Sequence, residues 1–343
     1  MQNESKIENW TSKKIGEKLT RFEHPSLPLQ EGKNGTAVVI GNLDGIHLGH
    51  QKVIQEAIST AAVSGLEPVV LTFDPHPNQV LKRPVPPLLT SLSRRIELLF
   101  RCALCRIYLC SVDTDFVSWE PDYFVEQLLV KQLNARLVVV GEDFQFGRQR
   151  SGNVQTLLSL GLRYRFETKT VAPVLKGHQV VSSTWIRQLI QQGDVRQAAS
   201  LLTRLHAFTG VVVPGAGLGQ KIGFRTANLT NIQELIPPHG VYAVRVERRT
   251  GGEFVALADG VMNIGTRPTL HQQGDGTVEV HLFETDQNLY GVSLRVHLLA
   301  YLRPERRFPT VSILQEQIAA DVEEARRIVQ GRCFWISGDG YHA

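Results

Sequence analysis

The segment Gly41-Asn-Leu-Asp-Gly-Ile-His-Leu-Gly-His50 constrains this chain more than any other. Before it stands Thr36-Ala-Val-Val-Ile-Gly41, a short apolar run of buried-strand type. After it, Val53, Ala57, Ile58 and Ala61 recur at helical spacing, and Gly65 is placed to stop the helix. The glycines let the backbone turn sharply and approach an anion closely. The helix that follows offers N–H groups and the positive end of its dipole to phosphate. His47 and His50, three residues apart, can point the same way from the first helical turn. Two imidazoles beside a triphosphate can donate hydrogen bonds and stabilise charge on a leaving pyrophosphate. Gly41, Asp44, Gly45, His47, Gly49 and His50 are therefore expected to form a nucleotide-binding turn.

The strand–helix rhythm continues on both sides. Pro68-Val-Val-Leu-Thr-Phe73, Arg106-Ile-Tyr-Leu-Cys110 and Arg136-Leu-Val-Val-Val-Gly141 read as further buried strands. Asp122–Leu133, Thr184–Gln192 and Val195–Leu202 read as helices. This pattern predicts an α/β domain with a parallel, Rossmann-like sheet covered on both faces. After Gly210 the period switches to that of strands: Gly210–Val213, Gly240–Val246, Glu253–Ile264, Val278–Phe283 and Ser293–Leu299 follow one another without helices. They predict an antiparallel β-barrel. A terminal helix over Thr310–Val329 carries Ile313, Leu314, Ile318, Val322 and Ala325 as its apolar stripe. The expected domains are a polar N-terminal extension (1–34), the α/β domain (35–205) and the barrel domain (206–335).

Composition narrows the class. With 343 residues, 42% hydrophobic and 20% charged, the chain can bury two cores. No apolar run approaches the roughly 20 residues of a membrane helix, and no apolar signal region stands near the start, so no membrane partner is expected. A net charge of +4 suits anionic substrates and is too weak to argue for nucleic acid. Cys102-Ala-Leu-Cys105 lacks the second pair that zinc needs, so the cysteines read as small core side chains in a reducing cytoplasm. No motif sets an oligomeric state.

Further motifs carry chemistry. Ser182-Ser-Thr184 precedes a helix, and Arg187 stands about one turn on. Together they fit a second anion site, and equally a plain helix cap with a surface arginine. Asp143 and Phe144 end a buried strand, where open α/β sheets place ligands. Gly215-Ala-Gly-Leu-Gly219 is not a dinucleotide fingerprint, because Gln220–Leu229 lacks the amphipathic helix which that motif requires. No GxxxxGK[ST] occurs, so a P-loop is excluded. In Thr277–Phe283, alternation puts Val278, Val280 and Leu282 on one face and Glu279, His281 and Phe283 on the other.

Taken together, His47-Leu-Gly-His50, Leu71-Thr-Phe-Asp-Pro-His-Pro77, Gly141–Gly147, Val181–Arg187, Gly215–Leu229 and Glu279-Val-His-Leu282 resemble, in order and spacing, the bacterial bifunctional riboflavin kinase/FAD synthetase family. The resemblance spans nearly everything beyond residue 35. It implies that the barrel phosphorylates riboflavin to FMN with ATP, and that the α/β domain transfers AMP from a second ATP to FMN, giving FAD and pyrophosphate, both with Mg²⁺. It implies ATP contacts for Ser182, Ser183, Thr184 and Arg187 and flavin contacts for Asp143 and Phe144. In the barrel it implies nucleotide contacts for Gly215, Gly217, Gly219, Thr226 and Asn228, with Thr226 and Asn228 also at Mg²⁺. Glu279 is implied as the base that accepts the riboflavin 5′-hydroxyl proton.

The chain departs from the family pattern at Leu43 (usually Phe), Gln145 (Arg), Trp185 (polar), Thr203, Leu205 and His206 (Gly, Pro and Tyr), and Arg225 (Pro). Asn263–Thr269 and Leu289–Gly291 are read as turns supporting the barrel. Two rivals remain at this point: an FMN adenylyltransferase with a weakened kinase head, and a flavin- or nucleotide-sensing module without turnover.

Overall fold

The computed structural model describes residues 19–22, 34–103, 106–215, 217, 219, 222–266 and 276–331, which fall into two compact units. The first comprises Met1–Pro86 and Leu92–Ser182, and the second Pro87–Ser91 and Ser183–Ala343.

The first unit is a six-stranded parallel sheet. Its strands are β1 (Leu19–Phe22), β2 (Thr36–Ile40), β3 (Glu67–Asp74), β4 (Arg106–Ser111), β5 (Ala135–Gly141) and β8 (Glu167–Val171), in the order β1-β4-β3-β2-β5-β8. Each central strand is apolar without interruption because its alternate residues feed two cores. In β2, Val38 and Ile40 enter one cluster while Ala37 and Val39 enter the other. Helices α1 (Leu48–Ser64) and α2 (Leu92–Ala103) supply Ile54, Ala57, Ala61, Ile96 and Leu99 to the second cluster. The opposite face is covered by α3 (Pro121–Phe124), which runs on as a π-helix over Val125–Gln132, and by α4 (Val154–Tyr164). Gly65 ends α1 in the left-handed region at φ 64°, as expected. Two short hairpins complete the unit: β6 (Gln145–Phe146) with β7 (Gly152–Asn153), and β9 (Leu175–Lys176) with β10 (Gln179–Val180).

Two expectations change here. The N-terminal extension contains β1, four residues that pair in parallel with β4 at the sheet edge. The helix expected over Asp122–Leu133 is π-helical for most of its length, and Leu133 N–H donates five residues back to Leu128 at 3.1 Å. The other residues of 1–33 lie outside the described residues.

The second unit begins with α5 (Ser183–Gln191) and α6 (Val195–Leu202). A closed antiparallel barrel follows, made of β11 (Ala207–Val213), β12 (Ala227–Thr230), β13 (Gly240–Thr250), β14 (Glu253–Thr266), β15 (Gly276–Leu282) and β16 (Ser293–Arg303). Its order is β11-β12-β15-β14-β13-β16, with β16 returning to β11. Tyr242, Val244, Met262, Val278, Val280, Leu294 and Val296 fill the interior. Gly251 and Gly252, both at positive φ (58° and 94°), join β13 to β14 by the two-residue turn that matches strand twist. Asn263–Thr266 belongs to β14 rather than to a turn; Arg267–Thr269 lies outside the described residues.

Helix α7 (Val311–Gly331) packs on the outer barrel wall through Ala325 and Val322. Its expected stripe starts one residue late, since Ile313 is 43% exposed. In the middle of that face sits Asp321, 5% exposed, which accepts three hydrogen bonds from Arg303 of β16, at 2.9, 3.1 and 2.7 Å.

Candidate active sites

In the first unit the C-terminal ends of β2, β3 and β5 carry the expected residues. The Gly41–His50 turn is held in an unusual backbone. Leu43, Gly45 and Ile46 all have positive φ (51°, 86° and 42°), a conformation disfavoured for Leu and Ile. Burial holds them there: Leu43 is 4% and Ile46 0% exposed.

His47 is the N-cap of α1. Its Nδ1 accepts from the N–H groups of Gly49 (3.1 Å) and His50 (3.4 Å). An imidazole that accepts at Nδ1 carries its proton on Nε2 when neutral, so the ring presents an N–H donor on its other side. The His50 ring stacks on it, with centroids 3.8 Å apart. Gly49 is closely packed, since a Cβ there would stand 3.1 Å from the His47 ring and 3.4 Å from the Val181 carbonyl oxygen.

Arg95 of α2, which the sequence reading did not single out, braces this turn. Arg95, 8% exposed, donates through its guanidinium to the carbonyls of Asn42 (2.7 Å), two residues beyond β2, and Phe73 (3.0 Å), near the end of β3. Burial pushes its pKa below the ordinary value, while the negative fields of Asp44 and Asp74 oppose that shift. Asp44 itself is buried. The signal available in the sequence was the apolar spacing of Leu92, Ile96, Leu99 and Cys102, which makes Arg95 a charge on a core helix.

At the end of β5, Asp143 is exposed and Phe144 is half-buried, stacked 5.4 Å from Phe146 with rings 16° apart. Phe146 continues to Phe124 and Phe116, so an aromatic wall flanks this end of the sheet. Ser182 is the last residue of the first unit, whereas Ser183, Thr184 and Arg187 open α5 in the second. Arg187 Nε donates to the Pro87 carbonyl at 2.7 Å. Cys110 is fully buried and its thiol is pushed up to about 12, chiefly by burial. Cys102 is half-buried, and Cys105 and Cys333 lie outside the described residues.

In the barrel, register brings the expected residues together. Glu279 of β15 lies opposite Asn228 of β12 on one side and Asn263 of β14 on the other. Residues directly opposite share a face, so the three form one polar row, while Val278 and Val280 point inward as expected. Thr226 Oγ1 donates to Glu279 Oε2 at 3.4 Å. A Cβ on Gly215 would overlap the Asn228 side chain, and one on Gly219 would overlap the Phe224 carbonyl. Gly217 has φ 70°. Ala216, Leu218 and Gln220 lie outside the described residues.

A cavity of about 310 Å³ opens beside this row, lined by Gly215, Gly217, Thr226, Asn228, His281 and Arg326 among others. Arg225, where the family has proline, has its carbonyl tied to His281 Nδ1 (2.9 Å), and its side chain stands 3.8 Å from Asp286. The backbone that proline would pre-form is thus tethered from β15.

Among the described residues no group of three His, Cys, Asp or Glu is placed to hold a metal, and no helix is long and apolar enough to cross a membrane.

Comparison with known proteins is consistent along the chain. The FAD synthetase family model matches residues 29–185 and the riboflavin kinase model residues 202–329. The chain is 34% identical to the bifunctional riboflavin kinase/FMN adenylyltransferase of Bacillus subtilis over 90% of its length and 98% of that protein's. It is 35% identical to the protein of that description from Escherichia coli K12, over 87% of this chain and 94% of that one. A crystal structure described as a macrolide-efflux protein of Streptococcus pneumoniae superposes with a TM-score of 0.78 at 29% identity, covering 90% of this chain and 99% of that one.

Proposed function

Since the chain belongs to the bifunctional riboflavin kinase/FMN adenylyltransferase family, we propose the following division of its residues between the two reactions. The protein is a transferase that phosphorylates riboflavin to FMN with ATP and adenylylates FMN with ATP, giving FAD and pyrophosphate. The observation that carries this is the presence of both family domains end to end on one chain.

In our reading residues 35–205 adenylylate. An FMN phosphate oxygen attacks the α-phosphorus of ATP while His47, through Nε2–H, and His50 stabilise charge on the departing pyrophosphate. The loop glycines Gly41, Gly45 and Gly49, with Asp44, shape the phosphate cradle. Ser182, Ser183, Thr184 and Arg187 contact the nucleotide, and Asp143 and Phe144 contact the flavin.

Residues 206–335 phosphorylate. Gly215, Gly217 and Gly219 let the backbone approach ATP, and Glu279 accepts the riboflavin 5′-hydroxyl proton as that oxygen attacks the γ-phosphorus. The donor set suits Mg²⁺: Thr226 supplies a hydroxyl oxygen whose proton is directed to Glu279, and Asn228 an amide oxygen. When bound, Mg²⁺ would offset phosphate charge. We place the enzyme in the cytoplasm, where thiols such as Cys110 stay reduced.

The test is to incubate pure protein with riboflavin, Mg²⁺ and ATP and to separate the flavins. FAD is the expected product. FAD from supplied FMN alone would indicate one active head. Flavin binding with no product would indicate a sensor.

A further inference from the structure

The chain leaves the first unit for the second at Pro87, returns at Leu92 and leaves again at Ser183. The first excursion is a five-residue strap, Pro87-Leu-Leu-Thr-Ser91, which runs directly into α2. Its hydrogen bonds within the second unit form a connected set. Glu234, 5% exposed, uses Oε1 to accept from Ser91 N–H (3.3 Å) and Oε2 to accept from Thr209 N–H at β11 (3.2 Å). Leu235 N–H donates to the Leu88 carbonyl at 2.7 Å. The Leu235 carbonyl is bound by His206 Nε2 at 2.7 Å, and Leu298 N–H of β16 donates to the His206 carbonyl at 2.9 Å. At the other end, Arg187 Nε donates to the Pro87 carbonyl.

Residue type matters at position 234. Two N–H donors meet the side chain, one at each oxygen, and a carboxyl group offers an acceptor at both. Glutamine would turn an amide N–H₂ toward one of them. A buried carboxyl group is costly unless hydrogen-bonded, and the N–H groups of Ser91 and Thr209 supply those bonds and tie the strap to β11. The strap in turn acts on Arg187. An arginine side chain has wide rotamer freedom, and anchoring Nε sets the direction in which its Nη groups project. The cavity beside Thr226 is not lined by Glu234, Leu235 or the strap.

We propose that Glu234 is a positioning residue for FMN adenylylation: its carboxylate fixes the strap, and the Pro87 carbonyl of the strap orients Arg187. This rests on the reading that Arg187 serves ATP in that reaction. A carboxylate in the kinase half of the sequence thereby supports the other half's chemistry.

The test uses the full chain and initial rates with ATP varied, for FMN to FAD and for riboflavin to FMN separately. Glu234→Gln is expected to raise the ATP KM of adenylylation about tenfold, the value of one charge-assisted hydrogen bond. Its kcat should change little, and riboflavin phosphorylation should keep its KM and kcat. Arg187→Ala is expected to raise the same KM at least as far, and the double variant should be no worse than Arg187→Ala alone.

A wild-type ATP KM in Glu234→Gln, multiplied effects in the double variant, or a parallel loss of kinase activity overturns the proposal. Full adenylylation by Arg187→Ala overturns both the proposal and the role given to Arg187, whereas a wild-type protein that makes no FAD refutes the reaction itself. Should Glu234→Gln fail to fold, Glu234→Asp decides. It keeps both acceptors but withdraws them by one methylene, and an unchanged ATP KM there overturns the proposal.

Discussion

Substituting Gly49 by alanine tests the geometry of the proposed nucleotide turn at its tightest point. The added Cβ would stand 3.1 Å from both Cε1 and Nδ1 of His47, and 3.4 Å from the backbone oxygen of Val181. Ordinary carbon contacts begin near 3.5 Å, so one neighbour must yield by roughly 0.4 Å. The carbonyl belongs to the backbone, so the ring moves. Turning it weakens the cap bonds at 3.1 and 3.4 Å and disturbs the stack on His50.

Overpacking costs about 1–3 kcal/mol, and a weakened cap up to about 1 kcal/mol. Replacing glycine in a helix returns about 1 kcal/mol. The net loss of stability is thus about 0–3 kcal/mol, and the fold survives. A misplacement of about 1 Å can cost a hundredfold in rate, so a shift of this size should lower kcat for FMN adenylylation about tenfold. Separate assays of the two half-reactions, with calorimetry as a control, read this directly. Riboflavin phosphorylation should be unchanged. Undiminished FAD formation, or an equal loss in both reactions, would refute the argument from the His47 ring.

Other outcomes follow from the same contacts. Glu279→Gln should abolish FMN formation from riboflavin yet spare FAD formation from supplied FMN, as read by flavin chromatography; equal loss of both would show the division of labour to be wrong. Asp321→Ala strands Arg303 against the barrel wall and should cost about 3 kcal/mol in denaturant unfolding; a change within 0.5 kcal/mol, the size of an ordinary surface substitution, would mean the pair is idle. The Cys110 thiol, raised to about 12, stays protonated in the fold while an unfolded thiol ionises near pH 9. Its contribution is therefore present below pH 9 and is lost as pH rises from 9 towards 12, because the unfolded state then binds fewer protons. In the native protein at pH 9, iodoacetamide should label Cys102 and leave Cys110 unmodified, as checked by mass spectrometry of the peptides.

Much of this architecture was legible in the sequence because the relevant signals are local. The TAVVI run of β2 announces a strand buried on both faces, and Gly65 announces the end of α1. The alternation around Glu279 correctly separated the interior valines from the polar row. What was missed depends on distant partners. Leu19–Phe22 is only four residues in polar surroundings, and becomes a strand through the open edge of β4. Arg95 is one of several arginines until its guanidinium meets two carbonyls from separate strands. Asp321 interrupts an apolar stripe and reads as solvent-facing until Arg303 is found opposite it. That Asn228, Glu279 and Asn263 fall in one row is a property of register, which no window along the chain contains.

That row limits how chains of this kind can change in length. Inserting one residue before Glu279 within β15 would swap the two faces of the strand, sending the carboxylate into the barrel and a valine out of it. The stretches of these strands next to the row are therefore intolerant of insertions and deletions, whereas β14 takes up one extra residue farther along, at the bulge opposite Val246 and Glu247. Variation in length is confined to places such as the Gly251–Gly252 turn, where added residues leave every pairing of β13 with β14 in step. On the roles proposed for Asn228 and Glu279, the kinase site is inherited as a block of three registered strands, and a graft that moves one of them alone will carry the residues without their arrangement.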